Sequence, residues 1–213
     1  MIAGTLLVAA VAVGLLATVN APAPVAPSKA DVPRADAAPA ASATTPVPAS
    51  PRRRAGRVYD LEEAIKRLDL IKPARQKMAQ DFTLPTPASA TFKLSEHRGK
   101  VVMINFWATW CPPCLQEMPA MERLYRQHRD AGFEMVAVSV DTDAAKVKPF
   151  LAAHKFTFRV VLDPAMGLAN TYGVRALPSS FLVDRTGALT ALAIGPRHWD
   201  NDAAHSLVEA MVR

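Results

Sequence analysis

The apolar, β-branched run "VVMINF" (Val101–Phe106) leads within five residues to "CPPC", and the chain holds no other cysteine. Such an unbroken run suits a strand buried on both faces. A helix is predicted from the cysteines to about Arg129, so the two sulfurs stand where a strand gives way to a helix. A structural disulfide explains this spacing poorly, because cross-linking stabilises mainly by restricting the unfolded chain and a loop this short restricts little. Structural zinc wants four ligands. Here there is one cysteine pair, and His97, His128, His154, His198 and His205 lie scattered along the chain with no pair at ligand spacing. Reversible thiol chemistry is the reading that remains.

Beyond the cysteines the pattern is that of a compact α/β unit. A short hairpin is expected through "ATFKLSEHRGK", a second buried strand at "FEMVAVSVD", and a helix at "AAKVKPFLAAHKF" that Pro149 either starts or kinks. "FTFRVVLD" supplies another strand and "PAMGLANTYGV" a short helix ended by Gly173. "SSFLVD", "RTG" and "ALTALAIG" give strand, turn and strand. The closing helix "NDAAHSLVEAMVR" carries Ala204, Leu207, Val208 and Met211 on its apolar face. This order predicts a central mixed sheet covered by helices.

The flanks differ in kind. Residues 1–19 contain an uncharged apolar stretch long enough for a short membrane helix, and Pro24 after the Ala21-x-Ala23 pattern disfavours signal cleavage. An uncleaved anchor is therefore preferred to a signal peptide. Residues 20–57, rich in Ala and Pro, read as a disordered tether. Residues 58–81 hold a short amphipathic helix, with Asp60 as N-cap, Glu63 at capping-box spacing, Leu61, Ile65 and Leu68 on one face, and an end near Pro73. Packing on the main domain is the expected fate of that face. The domain itself spans residues 82–213. Residues 1–81 hold 11 basic and 7 acidic side chains and residues 82–213 hold 14 and 12, so most of the formal charge of +6 lies outside the domain. No aromatic residues interleave with "RRRAGR", so a nucleic-acid face is unsupported and the run reads as a solvated stretch of linker.

"NFWATWCPPC", the later "ALPSSFLVD" and the hairpin and helix after it resemble the thioredoxin superfamily, specifically its membrane-tethered TlpA and ResA branch. "EMPAM" and "IGPRHW" resemble TlpA most closely. The resemblance implies a three-layer thioredoxin-like fold with an N-terminal hairpin and a central insertion. It also implies that Pro178 is a cis-proline facing the cysteines, that the Leu177 backbone pairs with an extended substrate, and that Pro119 kinks the first long helix. The usual threonine after the proline is Ser179 here.

Cys111 is the expected nucleophile, because a helix N-terminus favours its thiolate. Pro112 and Pro113 lack N–H groups, which leaves the backbone of Cys114 and Leu115 as the nearest donors. Cys114 is the expected resolving thiol, attacking the Cys111 sulfur of a mixed disulfide. Its proton needs an acceptor, and Glu117 lies one helical turn on. Read alone, Glu117 is an exposed helical carboxylate; in the ResA branch a glutamate at this spacing tunes the cysteines. Asn105 stands where thioredoxin has a buried aspartate and cannot take a proton. Trp110 is either core packing or a lid beside Cys111, and Trp107 is structural.

The function so implied is a dithiol reductant of specific protein disulfides on the outer side of a bacterial membrane, in maturation of cytochrome c or of copper-containing oxidases. Its electrons would come from a membrane thiol-disulfide donor, and its only redox group would be the Cys111–Cys114 pair, with no separate cofactor. Two alternatives use the same cysteines: a Cu(I) carrier, since thiolates suit that ion, and a disulfide oxidase or isomerase with a higher reduction potential.

Overall fold

The unbroken apolar runs become the middle of a sheet. In the computed structural model, which describes residues 56–213, β3 (Val101–Trp107) and β4 (Phe133–Ser139) are buried along their whole length. The expected anchor at 1–19 and all of the tether except Gly56 and Arg57 lie outside the described residues. Five strands run in the order β5 (Arg159–Leu162), β4, β3, β6 (Ser179–Val183), β7 (Leu189–Ile194). The pairings β3–β4 and β4–β5 are parallel, and β3–β6 and β6–β7 antiparallel. Helices α2 (Pro112–His128), α3 (Val147–His154), α4 (Gly167–Thr171) and α5 (Asp202–Val212) connect or follow these strands.

The register carries a functional consequence. Phe106 pairs with Ser179 across the antiparallel β3–β6 ladder, so the loop entering β6 lies at the same end of the sheet as the loop leaving β3. That brings Pro178 to the end where the cysteines open α2.

Local chemistry explains the boundaries. α4 stops in a Schellman arrangement, with Gly173 at φ 69°, its N–H donating to the Asn170 carbonyl and the Val174 N–H to that of Ala169. Pro149 falls in the first turn of α3, where a backbone N–H has no helical partner to lose. α2 continues through Pro119. On α5, Ala204, Leu207, Val208 and Met211 are buried as expected, and Ala203, His205 and Ser206 are buried as well.

The second buried face of α5 is covered by the N-terminal segment. α1 (Leu61–Arg67) is capped by Asp60, whose carboxylate accepts the Glu63 N–H, and it packs Ala64 and Ile65 toward α5. Fully burying Ile65 and Leu68 contributes roughly 1.5–3 kcal/mol apiece. Hydrogen bonds from the Arg57 N–H to Asp202 Oδ2 and from the Tyr59 N–H to Ser206 Oγ extend the docking. Past Leu70 the chain runs along the outer edge of β7, where Ile71 exchanges both backbone hydrogen bonds with Leu192. The sheet edge is thereby covered.

Two expectations need correction. α1 ends at Arg67 rather than near Pro73, because Asp69 takes a left-handed conformation (φ 50°) and the Asp69 and Leu70 N–H groups turn back onto the Lys66 and Ile65 carbonyls. The hairpin lies at β1 (Thr83–Pro85) and β2 (Thr91–Lys93), not through Lys100. Residues after β2 form a short 3-10 turn, Leu94–His97, with the Ser95 N–H held by Asp81.

Candidate active site

The cysteine loop is fixed before the helix begins. Asp141, buried just after β4, accepts hydrogen bonds from the Thr109 N–H, from Thr109 Oγ1 at 2.6 Å and from Ser139 Oγ at 2.8 Å. The Cys111 N–H donates to the Ala108 carbonyl. Cys111 is then the N-cap of α2, extended at φ −101° and ψ 96° as a residue before proline must be. Cys111 and Cys114 form a disulfide, with Cα atoms 5.4 Å apart. Cys111 is 5% exposed and Cys114 fully buried, so Cys111 is the more accessible of the two sulfurs.

The first turn of α2 is poorer in donors than expected. The Leu115 N–H is already committed to the Cys111 carbonyl at 3.2 Å. With Pro112 and Pro113 at the first two helical positions, the Cys114 N–H is the remaining backbone donor for a Cys111 thiolate. The helix dipole still favours the anion, but this first turn is a sparse anion site.

Glu117 is not an exposed helical carboxylate; it is 5% exposed. Its Oε1 accepts from Asn105 Nδ2 at 3.1 Å, and its Oε2 from the Arg197 N–H at 3.0 Å and from Trp199 Nε1 at 3.1 Å. Burial dominates over these three donors and over the Arg197 charge, pushing the carboxyl up to about 7. A carboxyl poised there exchanges protons readily at neutral pH. Asn105, which cannot take a proton itself, serves to hold the group that can. Its Nδ2 also donates to Ser180 Oγ, while its Oδ1 is buried without a hydrogen-bond partner among the described residues. Turned over, that amide would accept from a protonated Glu117, so Asn105 can serve both states.

The remaining expected site residues frame the disulfide. The Leu177–Pro178 bond is cis. A hollow of about 440 Å³ beside Cys111 is lined by Trp110, Pro112, Val140, Met166, Val174 and Leu177 among others. Trp110 is 65% exposed, which rules out core packing and leaves it on the rim of this hollow. Trp107 is fully buried against Phe150. Ser179 Oγ donates to the Ala176 carbonyl, bracing the loop before β6.

Four contributors went unassigned in the sequence: Asp141, Ser180, Arg197 and Trp199. Asp141 could have been noticed at the carboxyl end of a parallel strand, where such sheets place their sites. Arg197 and Trp199 sit in "IGPRHW", which marked a likeness but gave no role. The histidines are also less scattered than their numbers suggest, since His128 Nε2 lies 2.9 Å from His205 Nδ1 between α2 and α5. Among the described residues no group of three or more His, Cys, Asp and Glu side chains is arranged to hold a metal.

Known proteins similar to this chain are described as thiol-disulfide oxidoreductases and interchange proteins. The chain is 37% identical over 119 residues to thiol-disulfide oxidoreductase ResA of Bacillus thuringiensis, covering 56% of this chain and 69% of that one. It is 38% identical over 117 residues to ResA of Geobacillus thermodenitrificans, covering 55% and 67%. Among solved structures, a protein of Chlorobium tepidum described as a thiol:disulfide interchange protein DsbE superposes with a TM-score of 0.62 at 35% identity, covering 68% of this chain and 99% of the other. A second Chlorobium tepidum structure, a thioredoxin-family thiol:disulfide interchange protein, gives 0.58 at 27% identity, covering 66% and 99%. The AhpC/TSA family matches residues 76–192, a span that takes in the cysteines, Glu117 and Pro178. The chain belongs to the AhpC/TSA family and takes its place among that family's thioredoxin-like thiol-disulfide oxidoreductases.

Proposed function

We propose that the protein is a dithiol reductant of particular protein disulfides in the cell envelope, held to the membrane by its N-terminal residues, supplied with electrons by a membrane thiol-disulfide donor, and used in cytochrome c or copper-oxidase maturation. The observation that carries the reading is the buried Glu117 one helical turn beyond a fully buried Cys114 on α2. Such an arrangement serves a resolving thiol that must lose its proton before it can act.

The cycle then runs in two displacements. The Cys111 thiolate attacks one sulfur of a substrate disulfide, forming a mixed disulfide and expelling the other sulfur as a thiolate. Glu117 takes the Cys114 proton, directly or through water. The Cys114 thiolate attacks the Cys111 sulfur, expels the reduced substrate and leaves the Cys111–Cys114 disulfide of the present structure. Substrate lies as an extended segment in the hollow under Trp110, pairing with the Leu177 backbone.

Cys114→Ser, expressed as the full chain in the native host, tests this by stranding the mixed disulfide. Recovery of a cofactor-assembly protein together with a membrane electron-transport protein is the expected result. Cytosolic partners alone would overturn the location, and tight stoichiometric Cu(I) binding by the reduced protein without insulin reduction would overturn the reaction.

A further inference from the structure

Arg197 has work on both sides of the loop between β7 and α5. Its Nε donates to the Leu68 carbonyl at 2.7 Å and its Nη2 to the Asp69 carbonyl at 2.8 Å, the two carbonyls at the end of α1. Nη2 also lies 3.2 Å from Asp69 Oδ2. Nη1 reaches the Ile194, Gly195 and Pro196 carbonyls at 3.2, 3.3 and 3.0 Å, so the guanidinium closes its own loop as well. Every nitrogen of the planar fork is occupied, a demand that a lysine ammonium could not meet. The same residue's backbone N–H, and the Trp199 indole two positions on, are the two donors to Glu117 Oε2.

We propose that Arg197 is a positioning residue through which the docking of the N-terminal segment, residues 57–72, sets the state of the Glu117 carboxyl beside the cysteine pair. The end of α1 holds the guanidinium, the guanidinium holds the loop, and the loop presents two of the carboxylate's three donors. When α1 lifts from α5, Arg197 loses its anchors at Leu68 and Asp69 and its backbone N–H draws away from Oε2. The carboxyl, still covered by Trp199 at 1% exposure, then holds its proton more tightly.

The other groups facing this site are few. His198, on the same loop, lines with Gln116 a hollow of about 190 Å³ over Glu117. Asn105 faces it from β3 and Trp199 from the loop, Arg197 brings the nearby positive charge, and Cys114 lies one helical turn before it on α2. The inference rests on Glu117 being the proton acceptor for its consequence in the cycle, but the coupling itself is separately measurable.

The test is a titration of the Glu117 carboxyl by carbon-13 NMR in the full chain, for the wild type, Arg197→Ala, Arg197→Lys, Ala64→Asp and the Ala64→Asp, Arg197→Ala double variant. Ala64 is fully buried on α1, so an aspartate there undocks the helix; if that variant does not fold, Ile65→Ala loosens the same face. Arg197→Ala should raise the midpoint by about one pH unit, lysine should not restore it, and α1 undocking should raise it in the wild-type background but not in Arg197→Ala. An unchanged or lowered midpoint in Arg197→Ala, or an undocking effect of the same size in both backgrounds, overturns the coupling. Failure of the catalytic reading shows elsewhere: a Glu117→Gln protein whose resolution rate has the wild-type pH profile removes the acceptor role whatever the titration shows.

Discussion

Replacing Glu117 with glutamine removes an ionisable group whose burial opposes ionisation. The carboxyl is pushed from an ordinary 4.5 to about 7. Its folded value thus lies above its unfolded value, so between the two the folded state binds more protons and stability falls as pH rises. The favourable contribution is fully present below about 4.5 and is lost as pH climbs through about 7. At about 1.36 kcal/mol per pH unit the change amounts to roughly 3 kcal/mol. Glutamine keeps the shape and can still accept from the Arg197 and Trp199 donors through its carbonyl, with the Asn105 amide turned over to receive its NH₂. Urea unfolding of the oxidised wild type and variant from pH 4 to 8, with the disulfide intact so that no thiol titrates, reads the difference. The two curves should approach each other at low pH, with the variant ahead by roughly 3 kcal/mol above pH 7. Parallel curves would refute the account of Glu117 as a buried group forced to ionise. In the reduced protein the same substitution should slow mixed-disulfide resolution roughly 100-fold or more near neutral pH.

Three further outcomes follow from the site. Trp110→Ala should change stability by less than about 0.5 kcal/mol, because the ring is largely exposed, while lowering kcat/KM for protein disulfides and leaving Cys111 alkylation untouched. Asp141→Ala removes the acceptor for Thr109 and Ser139 in a buried position and should cost about 2–3 kcal/mol in thermal or urea unfolding, with a slower Cys111. Pro113→Ala adds an N–H to the first turn of α2 and should lower the Cys111 thiol pKa, read from the pH dependence of alkylation; an unchanged pKa would mean that backbone donors do not limit this thiolate.

How much of this was legible in the sequence depended on whether the decisive interaction was local. Buried strands declare themselves through runs such as Val101–Phe106 and Phe133–Ser139, and helix ends through Asp60 or Gly173, because periodicity and capping act within a turn or two. Asp69 hid the end of α1 because a left-handed aspartate is uncommon and Pro73 offered a plainer stop. The Cys111–Cys114 pair at the start of α2 was readable from a short motif. Glu117's burial was not, since its three donors come from residues 105, 197 and 199, which only the folded sheet brings together. Asn105 shows the limit well. An amide cannot take a proton, which the residue type alone says, yet nothing local revealed that it holds a carboxyl arriving from the facing helix.

The most direct measurement is the alkylation rate of each cysteine in the reduced full chain as a function of pH, with the modified residue located by mass spectrometry. Cys111 should react first and ionise below the ordinary thiol value of about 8.5, while Cys114 stays protected. Equal rates for the two, with Cys111 titrating as a free thiol does, would contradict the account at its base.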